Sequence, residues 1–385
     1  MSLDSSESIF DFLDEMRESG IPEEIVSRKV NFFLQKKARQ TDTPYRGHFE
    51  LTPLCNLNCK MCYVHLNIDQ MNGRRLLLAN EWADLIKQSI DAGMIKATLS
   101  GGECLTYPWF DEVFLLLKSR SIITTVLTNA VLLDNEKIRF FQKHLPGKIQ
   151  ISLYGSSDNA YEKVTGKRVF STVLNNIIAA KEANLPIKIS ITPSRYMLDD
   201  FEDIIKLINE INVPFAINIG LMTPRPGTGR DTVEHDISVD DYIEIIKYNR
   251  VLQNKNPEPT VVASRPDITD FEYVNKGLKC GAGRSTFSIN WFGVMNPCTQ
   301  MSSIAANPLE KGFLSSWKLI NEEVKVYPRF TACANCTYNS VCDFCAAENE
   351  KMGSKFILNQ RWCERTWKMV ENGLRSISND SKCDL

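Results

Sequence analysis

HFELTPLCNLNCKMCYV, residues 48–64, runs from a short strand candidate, HFELT at 48–52, straight into a loop that holds Cys55, Cys59 and Cys62 at C-x3-C-x2-C spacing. If 48–52 is the first strand of a parallel sheet, the three thiols sit at its carboxyl end. Sheets of that kind keep their ligand sites there, because the loops at that edge can vary without disturbing the core.

Working outward, further strand candidates are KATLS (96–100), ITTVLT (123–128), KIQISLY (148–154), IKISIT (187–192) and FAINIGL (215–221). Amphipathic helical runs follow them at 80–92, 108–120, 134–144, 169–184, 199–211 and 239–253. This alternation predicts an α/β fold, a parallel sheet with right-handed crossovers and helices on its outer face. Its six units fall short of the closed eight-stranded barrel, so the expected form is a partial (β/α)6 TIM-like barrel. GGEC (101–104) and TNA (128–130) then follow the second and third strands and land on the same face as the thiols.

Residues 1–45 read as an N-terminal helical segment. One helix places Ile9, Phe10, Leu13 and Met16 at helical spacing and stops at Gly20; another opens at Pro22 and carries Ile25, Val26, Val30, Phe33 and Leu34. The barrel is expected over 46–258. Residues 259–370, rich in Cys, Asn, Pro and Gly, read as a small loop-rich domain with little core that needs bound metal to hold it, and 371–385 as a C-terminal tail.

Of the 385 residues, 43% are hydrophobic and 24% charged, an ordinary globular balance, and the net charge of −2 offers no basic field for nucleic acid. The first residues are acidic where a secretory signal would be basic, and no apolar run reaches the roughly 18 residues of a membrane span. A cytoplasmic protein with no nucleic acid or membrane partner is expected. Twelve cysteines in a reducing compartment point to metal or redox chemistry rather than disulfides. The four histidines, His48, His65, His144 and His235, are too scattered for a mixed Cys/His site.

A structural zinc site closes with four protein ligands, and His65 alone could join the three thiols. Buried cysteines at accidental spacing are the other plain reading. A four-iron cube takes one thiolate per iron, so three cysteines leave one iron open to an outside ligand.

CNLNCKMC (55–62), LSGGE (99–103) and the six strand-helix units, about residues 46–254, resemble the radical SAM superfamily. The resemblance implies that Cys55, Cys59 and Cys62 hold a [4Fe–4S] cluster whose fourth iron is chelated by S-adenosyl-L-methionine. Reductive cleavage of that sulfonium yields methionine and a 5'-deoxyadenosyl radical that takes a hydrogen atom from substrate. Gly101, Gly102 and Glu103 would receive the methionine ammonium, and Ser152 with Ser190 or Thr192 would meet the ribose hydroxyls, with Asn129 in the loop after the third strand. Met61 stands where relatives often carry an aromatic residue, so Tyr63 is assigned the adenine contact. TNA replaces the commoner TNG. The bland alternatives are a glycine turn and strand residues packing the half-barrel. Cys104 is either a hydrogen-atom donor to a substrate radical or a small buried hydrophobe.

The second array is Cys280, Cys298, Cys333, Cys336, Cys342, Cys345 and Cys363, with C-x2-C-x5-C-x2-C at its centre. A two-zinc ribbon fits seven ligands poorly. The array resembles the SPASM extension of radical SAM proteins, with x2 where x3 is expected before Cys345. That resemblance implies two auxiliary clusters, for three [4Fe–4S] clusters in all. Cys280, Cys298 and Cys345 would hold the first, with one iron left over, and Cys333, Cys336, Cys342 and Cys363 the second. Cys383 reads as a free tail thiol.

The expected function is therefore an oxidoreductase that matures a ribosomally synthesised peptide through a thioether or carbon-carbon crosslink or a related oxidation. A formylglycine-forming sulfatase-type maturase, a peptide epimerase, a non-catalytic iron-sulfur redox protein and a zinc-binding module are the alternatives. The first 47 residues are too short and too helical for a winged-helix leader-binding domain, so a separate leader-binding protein is expected if a leader is read. Flavodoxin or ferredoxin is the expected electron donor.

Overall fold

The computed structural model describes residues 23–218, 222–225, 228, 236–252, 273–353 and 355–376. Strands Arg46–Glu50 (β1), Lys96–Ser100 (β2), Ile123–Thr128 (β3), Lys148–Ser152 (β4), Ile187–Ile191 (β5) and Phe215–Ile217 (β6) pair in parallel in that order. Their alternating side chains decide which face is buried. Phe49, Leu99, Val126 and Ile149 are matched across β1 to β4 and fully buried. Helices Ala79–Asp91, Phe110–Ser119, Asn135–Lys143, Phe170–Glu182 and Phe201–Ile211 supply the buried residues of the same core. The opposite face carries polar pairs: Arg46 beside Lys96, His48 beside Thr98, Glu50 beside Ser100, Thr125 beside Lys148, Gln150 beside Lys188 and Ser152 beside Ser190.

Two features depart from the sequence expectation. Helix Asp158–Thr165 stands in the connection after β4, capped by the Ser157 side chain, which accepts from the Ala160 amide, and closed by left-handed Gly166. Both capping residues were readable as such. The second departure is the sheet itself, which has eight strands among the described residues, two more than the six expected. Thr286–Ile289 (β8) lies parallel to β1 on its far side, and Met295–Asn296 (β9) pairs antiparallel with β8. A separate antiparallel pair joins Tyr273–Asn275 (β7) to Pro328–Phe330 (β10).

Part of the C-terminal region packs directly onto the barrel. Phe287 of β8 meets Phe49 edge-on at 5.8 Å and Phe313 at 5.0 Å. With Trp317, Ile320 and Val324 of helix Phe313–Lys325 it belongs to the barrel's own core. The 258/259 boundary, the helix expected over 7–18, the end of the sixth strand candidate at 219–221 and Cys383 lie outside the described residues. Among the described residues no helix is long and apolar enough to cross a membrane.

Candidate functional site

The cysteine loop is gripped from three sides. The Gly102 amide donates to the Thr52 carbonyl at 2.7 Å and the Glu103 amide to Leu54 at 2.9 Å. Behind the loop, the amides of Asn58 and Lys60 donate to the carbonyls of Thr165 and Val164, so the extra helix after β4 is its support. From the third strand, Asn129 donates through Nδ2 to Asn56 Oδ1 at 2.7 Å and to Cys55 Sγ at 3.6 Å. The glycine pair is explained by this approach. A Cβ on Gly101, whose φ is +152°, would lie 2.2 Å from the Thr52 oxygen, and one on Gly102 would lie 2.4 Å from the Leu54 oxygen.

Backbone amides are aimed at the sulfurs, Leu57 at Cys55 (3.4 Å) and His65 at Cys62 (3.3 Å). Burial pushes the Cys55 thiol up to about 12, the Leu57 amide pulling the other way. A thiolate here is expensive unless a cation sits on it, which suits an iron site. Among the described residues no three Cys, His, Asp or Glu side chains are placed to share one metal ion, whereas a four-iron cube puts each thiolate on its own iron. Asn56 Nδ2 is buried with no hydrogen-bond partner, a spare donor beside the thiols. The residues present thus fit the cluster and its ligand.

Tyr154 is the site residue that sequence reading passed over, although it lies in the quoted strand run. Burial first, then the nearby charges of Cys59, Cys62 and Cys55, hold its hydroxyl well above the usual phenol range. Ser152, half-buried at the end of β4, lies close enough to pull that hydroxyl the other way. Ser190 is matched across to Ser152 and accepts from Asn218 Nδ2, while half-buried Thr192 follows the end of β5.

Several assigned side chains are otherwise engaged. Glu103 is buried and its carboxylate accepts from the Leu105 amide (3.1 Å), Thr128 Oγ1 (2.8 Å) and the Asn129 amide (2.7 Å). It ties the second-strand loop to the third, and about one of its lone-pair sites is left for a cation. Cys104 is fully buried, its thiol donating to the Leu127 carbonyl at 3.1 Å. That burial is what a small packing hydrophobe has. Met61 is buried as well, and Tyr63 packs against the Arg225 guanidinium, 5.6 Å from its ring centre.

Arg225, in the segment after β6, is the other residue without a sequence signal. It donates to Glu50 at 2.8 and 2.6 Å, to the Thr299 carbonyl through Nε (3.0 Å) and Nη2 (2.6 Å), and its amide donates to the Tyr63 carbonyl at 2.9 Å. One residue therefore joins, by side chain and main chain together, the end of β1, the residue after Cys62 and the residue after Cys298.

The second array lines a cavity of about 680 Å³ through Cys280, Cys333, Cys336, Cys342, Cys345 and Cys363. Its sulfurs fall into two sets. Cys345, pushed by burial to about 11, feels Cys298 and Cys280; Cys333, pushed by burial to about 12, feels Cys363, Cys342 and Cys336. Backbone amides again face them, Gln300 and Met301 at Cys298 and Tyr338 at Cys336. Among the described residues every cysteine is a free thiol.

Residues 49–208 match the family model described as the Radical SAM superfamily. The chain is 23% identical over 350 residues to the AdoMet-dependent heme synthase of Methanosarcina barkeri, covering 84% of this chain and 97% of that protein. It is 25% identical over 264 residues to the sporulation killing factor maturation protein SkfB of Bacillus subtilis, covering 66% and 60%. Among solved structures, Streptococcus suis SuiB bound to precursor peptide SuiA superposes with a TM-score of 0.67 at 16% identity, covering 94% of each chain.

Proposed function

We propose, for a chain that is a radical SAM enzyme through its 49–208 domain, that it carries out a net oxidation of a peptide substrate, closing a thioether or carbon-carbon crosslink or making a related oxidised product. The observation that carries the oxidative part is the second cysteine array. Arg225 ties Thr299, next to Cys298, to Tyr63, next to Cys62, so an electron acceptor held by Cys298 would stand beside the first loop. Oxidation of a substrate radical needs such an acceptor, whereas epimerisation needs a hydrogen donor, and Cys104 is buried away from that task. The peptide part is supported by the likeness to a killing-factor maturation protein and to a fold neighbour bound to its precursor peptide.

In this reading Cys55, Cys59 and Cys62 hold the [4Fe–4S] cluster that binds S-adenosylmethionine. When bound, that pair supplies a carbon-centred oxidant able to remove a hydrogen atom from substrate. Gly101 and Gly102 bring main chain close to the cluster loop, the spare site on Glu103 takes the methionine ammonium, and Ser152 with Ser190 or Thr192 takes the ribose. Tyr154 and Leu57 close the loop against water. Cys280, Cys298 and Cys345 hold one auxiliary cluster; Cys333, Cys336, Cys342 and Cys363 hold the other. Electrons arrive from a flavodoxin or ferredoxin, and a separate protein presents any leader.

A second reading has a specific observation behind it. The heme synthase match spans 97% of that protein, where SkfB is covered over 60%, which favours oxidation of a tetrapyrrole. The test common to both is anaerobic reconstitution with strong reductant. Formation of 5'-deoxyadenosine and methionine is expected, and their absence would sink the enzyme reading. Mass loss from a supplied haem precursor, against mass loss from a precursor peptide, then separates the two.

A further inference from the structure

The face of the sheet opposite the helices holds a feature that the cluster chemistry does not use. Arg46 opens β1 and Lys96 opens β2, directly matched. Lys148 opens β4, matched to Thr125, and Lys188 of β5 is matched to Gln150. Since matched residues in a parallel pair project to one side, all four cations share the face that carries His48, Thr98, Ser100, Ser152 and Ser190. They lie near enough to repel one another: Arg46 and Lys148 act on Lys96, and Lys188 and Arg46 act on Lys148.

Among the described residues no carboxylate pairs with any of the four. Glu50, the acid matched into this face, is already bound by Arg225. Lys96 donates to Asn31 of helix Glu23–Gln40 and lies over the Tyr45 ring, 5.9 Å from its centre; both partners are neutral. All four side chains are half-buried, so water screens them only in part. A fold gains nothing from clustering like charges on a concave surface, and an anion arriving there would relieve the repulsion.

The register also sets a length. Lys148 and Ser152 are the ends of one strand, so about 13 Å of strand separates Lys148 from the end of β4, and Lys188, matched to Gln150, stands about 7 Å from that end, at about 3.3 Å per residue. We propose that Arg46, Lys96, Lys148 and Lys188 form a carboxylate-binding floor, and that the substrate is an oligocarboxylate whose anionic end rests there while its reacting carbon lies near Ser152. The inference names the substrate class within the reading above and rests on it. The carboxylates can come from acidic side chains of a peptide or from the propionates of a tetrapyrrole.

The test is binding without turnover, on the anaerobically reconstituted full chain. A short glutamate-rich peptide and its glutamine counterpart form one arm; haem and haem dimethyl ester form the other. At least one acid probe should bind well above its neutral partner. Lys148→Gln and Lys188→Gln should each weaken it roughly tenfold, the loss of one charge-assisted bond, and Lys148→Arg should hold the affinity. Preference for one acid probe identifies the source, and binding of both means that the floor reads carboxylate alone. Equal binding of neutral and acid probes, no binding of either acid, or unchanged affinity in both glutamine variants with wild-type circular dichroism overturns the proposal. Cleavage of S-adenosylmethionine by the wild-type protein is measured separately, so failure of the enzyme reading is seen apart from failure of this one.

Discussion

Arg225 and Glu50 are joined by two parallel bonds of 2.8 and 2.6 Å, with the Glu50 side chain 2% exposed. They are 175 positions apart in the chain and hold the end of β1 against the segment after β6. Removing the cation alone strands a carboxylate in a dry place. Arg225→Ala should lower unfolding stability by about 3–5 kcal/mol, and adding Glu50→Gln should recover part of it. Denaturant titration of the reconstituted protein and its double-mutant cycle reads both. A single mutant within about 0.5 kcal/mol of wild type would show that the pair is solvated in practice.

Gly102→Ala places a methyl 2.4 Å from the Leu54 oxygen and 2.5 Å from that of Pro53. These are main-chain atoms of the cysteine loop and cannot step aside as a side chain would. A cost of about 1–3 kcal/mol is expected, taken up by displacement of the loop. Iron bound after anaerobic reconstitution should therefore drop while the rest of the fold survives, as read by iron analysis beside circular dichroism. Full iron in this variant would count against the tight packing described.

The cysteines divide by iron stoichiometry. With three clusters the protein should carry about twelve irons, and Cys59→Ala or Cys333→Ala should each remove about four. Cys104→Ala should keep them all and cost about 1 kcal/mol for the lost packing and its bond to Leu127. Loss of iron in the Cys104 variant would move that residue into the site.

Asp42 reports on acid stability. Burial pushes its carboxyl up, but Lys325 and Arg284, both within bonding distance, outweigh that and hold it below the usual carboxylate range. A depressed folded-state pKa adds stability above the unfolded value of about 4, and that stability is lost as pH falls through the folded pKa. Asp42→Asn should therefore destabilise at pH 7 and flatten the acid limb of a plot of thermal midpoint against pH. An unchanged acid limb would mean that Lys325, 2.5 Å from Asp42, contributes nothing in solution.

Six parallel strands and the cysteine loop at the end of the first are legible in the sequence. Each rests on short-range information: side-chain period, glycine and capping residues, and the spacing of thiols along a loop. β8 was not legible in the same way. Thr286–Ile289 is four residues long, and only its parallel match to β1 and the contact of Phe287 with Phe49 make it a strand of the barrel sheet. The caps of the helix after β4, Ser157 and Gly166, are legible in the sequence; its support of Asn58 and Lys60 is not.

What the sequence determined by itself, then, is the strand order and the first cysteine loop, because these depend on side-chain period and on residues close together in the chain. The tertiary structure alone decided the surroundings: the Arg225 bridge from Glu50 to Thr299, the placement of Tyr154 near the cysteine loop, and four cations on one face that no carboxylate among the described residues pairs with. Those relations join residues from strands and loops far apart in the chain. Register and crossover topology bring them together, and neither is written in any single stretch of sequence.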